Sequence, residues 1–130
     1  MSPDTCLSMK MLSGYSIPTI GLGTYKVDPR DVERVLSTAL DIGYRHIDCA
    51  ELYENQTEIG ATLAKQFSSG KLRRDEVFIT SKVWNNAHSY SKASEAIDVI
   101  LRELQLPYLD LCLIHWPQGY AEHNGFFPMV

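Results

Sequence analysis

The sequence offers little to several whole classes of protein. It has no run of basic residues: 12 Lys and Arg are outnumbered by 16 Asp and Glu, for a net charge of −4. Nothing therefore presents the row of cations that a nucleic-acid backbone needs. Cysteine is scarce, with Cys6, Cys49 and Cys112 making an odd and scattered three. That excludes a disulfide framework or a zinc cluster and suits reduced thiols in a reducing, cytoplasmic setting. No apolar stretch approaches the roughly 20 residues of a membrane-spanning helix, and Met1-Ser2-Pro3-Asp4 does not open like a signal peptide. His46, His88, His115 and His123 are not at zinc spacing, so no metal site is expected. What is there, 45% hydrophobic and 22% charged residues over a chain of 130, is the make-up of one globular domain, without a nucleic-acid or membrane partner.

The apolar pattern then organises the chain. Leu7 to Met11 and Tyr15 to Ile17 flank Ser13-Gly14, which reads as a short hairpin. A first strand is expected over Pro18 to Gly23. Asp28-Pro29 then supplies a cap and a first-turn proline for a helix whose apolar face is Val32, Val35, Leu36, Ala39 and Leu40, with Gly43 as its stop. His46 to Ala50 reads as a second strand, and Ile59, Leu63 and Phe67 mark a second helix that ends at Ser68-Ser69-Gly70. Val77 to Thr80 is β-branched and aromatic, hence a third strand. Ala93, Ala96, Ile97, Ile100, Leu101 and Leu104 draw the stripe of a third helix, ended near Pro107. Leu109 to Ile114, apolar almost throughout, reads as a fourth strand covered on both faces. A strand-to-strand beat of about 30 residues is that of βαβ units with parallel strands. An open doubly wound sheet and a (β/α)8 barrel share this beat, and spacing does not choose between them.

Four polar residues stand at or just beyond C-terminal strand ends, the edge where both architectures gather chemistry: Asp48, Tyr53, Lys82 and His115. Taken singly, such an Asp is a helix cap, such a Tyr is packing and such a Lys is a solvated charge. Together they are chemically coherent. An ammonium beside a phenol favours the phenolate and makes the phenol a better acid, a carboxylate holds the ammonium in place, and an imidazole hydrogen-bonds a substrate oxygen. No Ser or Cys has a base positioned for nucleophilic attack. The set suits proton delivery to a carbonyl that receives hydride.

The segments around these residues stand in a telling order. They are Ile20-Gly21-Leu22-Gly23-Thr24-Tyr25, then Gly43-Tyr44-Arg45-His46-Ile47-Asp48-Cys49-Ala50, then Tyr53-Glu54-Asn55 with Glu58-Ile59-Gly60. Ile79-Thr80-Ser81-Lys82-Val83-Trp84-Asn85 and Leu113-Ile114-His115-Trp116-Pro117 follow, and Gly125-Phe126-Phe127-Pro128 closes the series. On these motifs the sequence resembles the aldo-keto reductases, specifically the aldose and aldehyde reductase-like branch, from about residue 9 onward. The resemblance implies an α/β fold of the (β/α)8 TIM-barrel family with an N-terminal hairpin plugging the barrel, and reduction of aldehydes and ketones with NADPH. It implies that Tyr53 is the proton donor, that Lys82 makes it more acidic, that Asp48 pairs with Lys82, and that His115 orients the carbonyl. Gly23, Thr24, Tyr25 and Asp48 are the implied contacts of the nicotinamide end of the cofactor. Tyr25, Trp84, His115 and Trp116 are the implied substrate wall, with rim packing as the lesser alternative for the aromatics. Gly21-Leu22-Gly23 is not a dinucleotide fingerprint, since its third glycine is missing.

The chain stops just after its fourth strand, which sets the remaining expectations. Residues 1–130 read as a single incomplete domain, the N-terminal hairpin and about four βα units of a barrel that needs eight. By resemblance the missing half supplies most of the cofactor grip. The first and fourth strands would both be edges, so the isolated chain is expected to be marginal and to self-associate through them. Two readings stand beside each other: an N-terminal part of a reductase that works on a small-molecule carbonyl, and an inactive truncated product acting as a binding or regulatory protein. A metal-dependent barrel hydrolase finds no support in the spacing. Trp84, Trp116 and the loop from Tyr120 to Phe127 suit aldehydes with apolar bodies.

Overall fold

Strand-forming runs and amphipathic helices alternate along the chain, and in the computed structural model, which describes residues 7–122 and 125–128, they build one parallel sheet with helices on one face. The hairpin comes first. β1 (Ser8–Lys10) pairs antiparallel with β2 (Ser16–Pro18), and the chain reverses at Gly14, whose φ of +90° suits glycine. The expected first strand is shorter than its apolar pattern. Pro18 belongs to the hairpin, Thr19 still donates its N–H to the Leu7 carbonyl, and only β3 (Leu22–Gly23) joins the sheet. Gly21 lets the chain pass under the His46 ring, since a Cβ there would lie 2.9 Å from it.

Helix α1 (Pro29–Asp41) begins as its cap predicts: the Asp28 carboxylate accepts the Arg30 N–H at 2.9 Å, and Pro29 takes a position where its missing donor costs nothing. β4 (His46–Asp48) follows, then a single 3-10 turn at Glu51–Tyr53, and α2 (Gln56–Ser68). β5 (Phe78–Val83) is longer than expected and carries Lys82 inside it, next to its last residue. α3 (Tyr90–Leu104) opens on Ser89, and β6 (Leu111–Ile114) completes the sheet in the order β3-β4-β5-β6. Strand alternation divides the two faces. Ile47 and Ile79 point toward the helices and pack with Val32, Leu36 and Leu40 of α1, Ile59 and Leu63 of α2, and Ile100 and Leu104 of α3. This is the core, and each such side chain contributes roughly 1.5–3 kcal/mol on burial.

β6 departs from expectation. Its apolar run suggests a strand covered on both faces, but Leu113 is 40% and Ile114 66% exposed. Among the described residues β6 pairs only with β5, at the edge of the sheet, and its outward residues meet solvent. Cys49 is buried and Cys112 exposed, both as free thiols, while Cys6 and His123 lie outside the described residues. Among the described residues no helix is long and apolar enough to cross a membrane, and no three His, Cys, Asp or Glu gather as a metal-ligand set.

Helices α2 and α3 meet at Gly60 closely enough that a Cβ there would lie 2.2 Å from the Glu103 carbonyl oxygen and under 3 Å from Leu104 backbone atoms. Backbone cannot yield as a side-chain end can. Gly60→Ala is therefore expected to cost about 3 kcal/mol, the upper end for overpacking, read as a lower urea midpoint with unchanged slope. An unmoved midpoint would show that the two helices do not approach this closely.

Candidate active site

Parallel pairing carries three strand ends to one rim. Gly23 lies beside Asp48, and Asp48 beside Thr80, in register. Alternation that buries Ile47 and Ile79 under the helices sends Asp48 and Lys82 to the opposite face. After Asp48 the chain turns through Glu51–Tyr53 and then passes Glu54 in the left-handed region, φ 54°. That bend returns Tyr53 to the end of β5.

The centre of the cluster is Lys82, whose side chain is only 12% exposed. A buried ammonium is costly unless partnered, and Lys82 has three acceptors. Its Nζ donates to Asp48 Oδ1 at 2.7 Å, to the Cys49 carbonyl at 2.8 Å and to the Tyr53 hydroxyl at 3.2 Å. The hydroxyl, the ammonium and the carboxylate thus form one hydrogen-bonded chain. The peptide carbonyl of Cys49 is a partner that no side-chain motif could signal.

His115 joins from β6. Its backbone N–H donates to the Val83 carbonyl at 3.0 Å, which continues the β5–β6 ladder one residue past the strand and fixes where the ring starts. The imidazole stands edge-on to the rings of Tyr53, at 5.7 Å between centroids, and Trp84, at 5.1 Å. Burial holds its pKa below the ordinary histidine value, the Lys82 charge pushes the same way, and the Asp48 charge works against both. Its Nδ1 is buried and has no partner within the described residues. The four residues expected to act together, Asp48, Tyr53, Lys82 and His115, are thus brought together.

The flanking residues divide. Tyr25 is 59% exposed and its ring packs on that of Tyr53 at 5.1 Å between centroids, and Trp116 is 44% exposed. Both are open to the rim. Trp84 is not: it has no exposed surface, its indole N–H donates to the Phe126 carbonyl, and Trp116, Tyr120 and Phe127 close around it. Expected on the substrate wall, it is covered here by the segment after β6. Thr24 is also covered. Expected at the cofactor, it is buried, and both its N–H and its hydroxyl donate to the Asp48 carbonyl, at 3.1 and 2.8 Å. It ties β3 to β4 under the carboxylate. Gly23 is exposed, and a Cβ there would meet nothing within 4 Å, so open space lies above the rim at that point.

Some site features were not anticipated. Glu51 sits at the head of the turn that carries Tyr53, and burial pushes its carboxyl up, against the Trp84 backbone N–H and with help from the Glu103 charge. Asn55 and Gln56, next to one another at the start of α2, are buried amides bonded to other elements. Asn55 stands in a quoted motif without a role; the burial of Gln56 has no sequence signal, since a polar residue at a helix start normally faces water.

Residues 19–127 match the model of the Aldo/keto reductase family. An aldo/keto reductase of Synechocystis sp. is 51% identical over 114 residues, 88% of this chain and 35% of that protein. The aldo-keto reductase family 1 member A1 of Rattus norvegicus is 44% identical over 95% of this chain and 38% of its own length. Among solved structures, the aldose reductase from Schistosoma japonicum superposes with a TM-score of 0.91 at 44% identity, over 95% of this chain and 41% of that one. The Bombyx mori aldo-keto reductase solved in complex with NADP gives a TM-score of 0.84 at 32% identity, covering 89% and 40%. The chain spans little more than a third of the length of the relatives it matches, 35% and 38% in the two cited.

The environment of His115 makes a signed prediction. Lys82→Met removes one of the influences that hold its pKa down and leaves Asp48 to push it up, so the imidazole should titrate at higher pH in the variant. NMR titration of the ring would read this directly. An unmoved midpoint would show that the ammonium does not act on the ring.

Proposed function

Since the chain belongs to the aldo/keto reductase family, with the α/β architecture of that family's barrel, we propose that its rim reduces an aldehyde or ketone to the alcohol, with Tyr53 as the proton donor. The observation that carries this is the chain of bonds from Asp48 to Lys82 to Tyr53, with the Lys82 Nζ 3.2 Å from the phenolic oxygen. Carbonyl reduction places negative charge on the carbonyl oxygen, which then needs a proton. The Tyr53 O–H supplies it, and the phenolate left behind lies against an ammonium that Asp48 and the Cys49 carbonyl hold in place. His115, kept toward its neutral form by burial, hydrogen-bonds the carbonyl oxygen and sets its direction. Tyr25 and Trp116 offer exposed aromatic surface to the apolar body of the substrate.

NADPH supplies the hydride when bound. The residues present fit its nicotinamide end: Gly23 leaves open space at the rim, Tyr25 flanks that space, and the Asp48 carboxylate remains one-third exposed beside it. Thr24 contributes by holding Asp48 rather than by contact. NADP accompanies the Bombyx mori relative, which supports the choice of cofactor.

Purified chain assayed for NADPH oxidation with an aromatic aldehyde tests the reading. Tyr53→Phe should lower kcat by about 10²–10⁴-fold, the range for loss of a positioned general acid, while the NADPH affinity read by fluorescence quenching stays as in the parent. Turnover that survives Tyr53→Phe intact would overturn the assignment. Quenching by NADPH without any oxidation would favour the binding reading over the enzymatic one.

A further inference from the structure

Two consecutive polar side chains are buried at the start of α2, Asn55 at 0% exposure and Gln56 at 2%. An amide taken out of water costs free energy unless it finds partners, so what these two bond to defines their role. Asn55 occupies the position just before the helix, where asparagine ordinarily bonds a free N–H of the first turn. Here it makes no such cap. Its Nδ2 instead donates to the carbonyls of Thr24, at 2.9 Å, and Val27, at 3.0 Å, on the loop after β3. That loop carries Tyr25.

Gln56 reaches the other way. Its Oε1 accepts the Ser81 hydroxyl at 2.6 Å, one residue before Lys82 on β5, and its Nε2 donates to Glu103 Oε2 at 2.9 Å near the end of α3. Ser81 lies on the helix-facing side of β5, where an unpartnered hydroxyl would be a fault in the core, and Gln56 answers it. The two amides therefore fasten one point of the chain to three other elements.

The point they fasten matters because of what precedes it. Glu54, between Tyr53 and Asn55, adopts a left-handed φ of 54° without being glycine. Such a conformation persists only where its surroundings hold it. We propose that Asn55 and Gln56 are positioning residues: they clamp the chain just after this bend and so set the Tyr53 ring against Tyr25 and its hydroxyl against Lys82. The inference rests on the reading of Tyr53 as proton donor, because positioning has meaning only for a group that acts.

The test uses the whole chain with labelled tyrosine rings, the Tyr53 signals being identified by Tyr53→Phe. Asn55→Ser keeps a good helix cap but cannot span to the Thr24 and Val27 carbonyls. Gln56→Met keeps length and volume but has no amide. In both, NMR cross-peaks from the Tyr53 ring to the Tyr25 ring and the Lys82 side chain should be lost, while the Ile59 and Ile100 methyl signals stay dispersed as in the parent. In the turnover assay kcat should fall without a change in the KM for NADPH. Cross-peaks retained in both variants would overturn the proposal, and so would their loss together with the core methyl dispersion, which would mean a general structural role. A parent chain that shows the cross-peaks and their selective loss but no turnover would leave the clamp standing and remove the catalytic reading on which its purpose depends.

Discussion

Everything in the rim is arranged around one ammonium that water barely reaches. Lys82 could not sit at the end of a central strand as a bare charge, because an ammonium taken out of water without partners is costly. It stays because a carboxylate from β4, a peptide carbonyl just after β4 and a phenol from the following turn all converge on it. These partners come from one stretch of chain, residues 48–53, and the lysine comes from the next strand. The pairing of β4 with β5 is thus written into the chemistry as well as into the ladder: a slip of one residue would turn Lys82 toward the helices and leave Asp48 alone.

The opposite end of the sheet is fastened by the same kind of device. Arg74 bonds Asp110 at 2.7 Å and lies over the Tyr108 ring, and Asp110 also accepts the Ile79 N–H at 2.8 Å. A part-buried ion pair contributes less to net stability than to the choice of one arrangement over its neighbours. With Lys82–Asp48 joining β4 to β5 at one end and Arg74–Asp110 joining β5 to β6 at the other, β5 is pinned twice, and the apolar layer between the pins supplies the free energy.

Much of this was readable from the residues alone, for identifiable reasons. The helices followed from their 3.6-residue apolar stripes and, for α1, from Asp28 as a cap, because both signals are local. The four rim residues were found because each stands at or after a strand end, which sequence order places on one edge once the strands are parallel. The errors lie where the outcome depends on distant chain. Pro18 was read into the sheet because nothing local says that the hairpin claims it first. The burial of Trp84 and Thr24 was not foreseen, because composition cannot show that the carbonyls of Phe126 and Asp48 engage their polar groups. Leu109 to Ile114 was read as covered because an apolar run records what a strand is suited to, and says nothing about whether another layer is present. The amides of Asn55 and Gln56 escaped notice for the converse reason: a polar residue is assumed to be wet until its partners are seen.

The sheet's uneven support also reaches the chemistry. Asp48 and Lys82 ride on β4 and β5, each braced by a strand on both sides, whereas His115 follows β6, which among the described residues has a neighbour on one side alone. Fluctuations in a sheet concentrate where backbone bonds and packing are fewest. The ammonium and the carboxylate therefore have their spacing set by backbone ladders on both flanks, and side-chain freedom has little say in it.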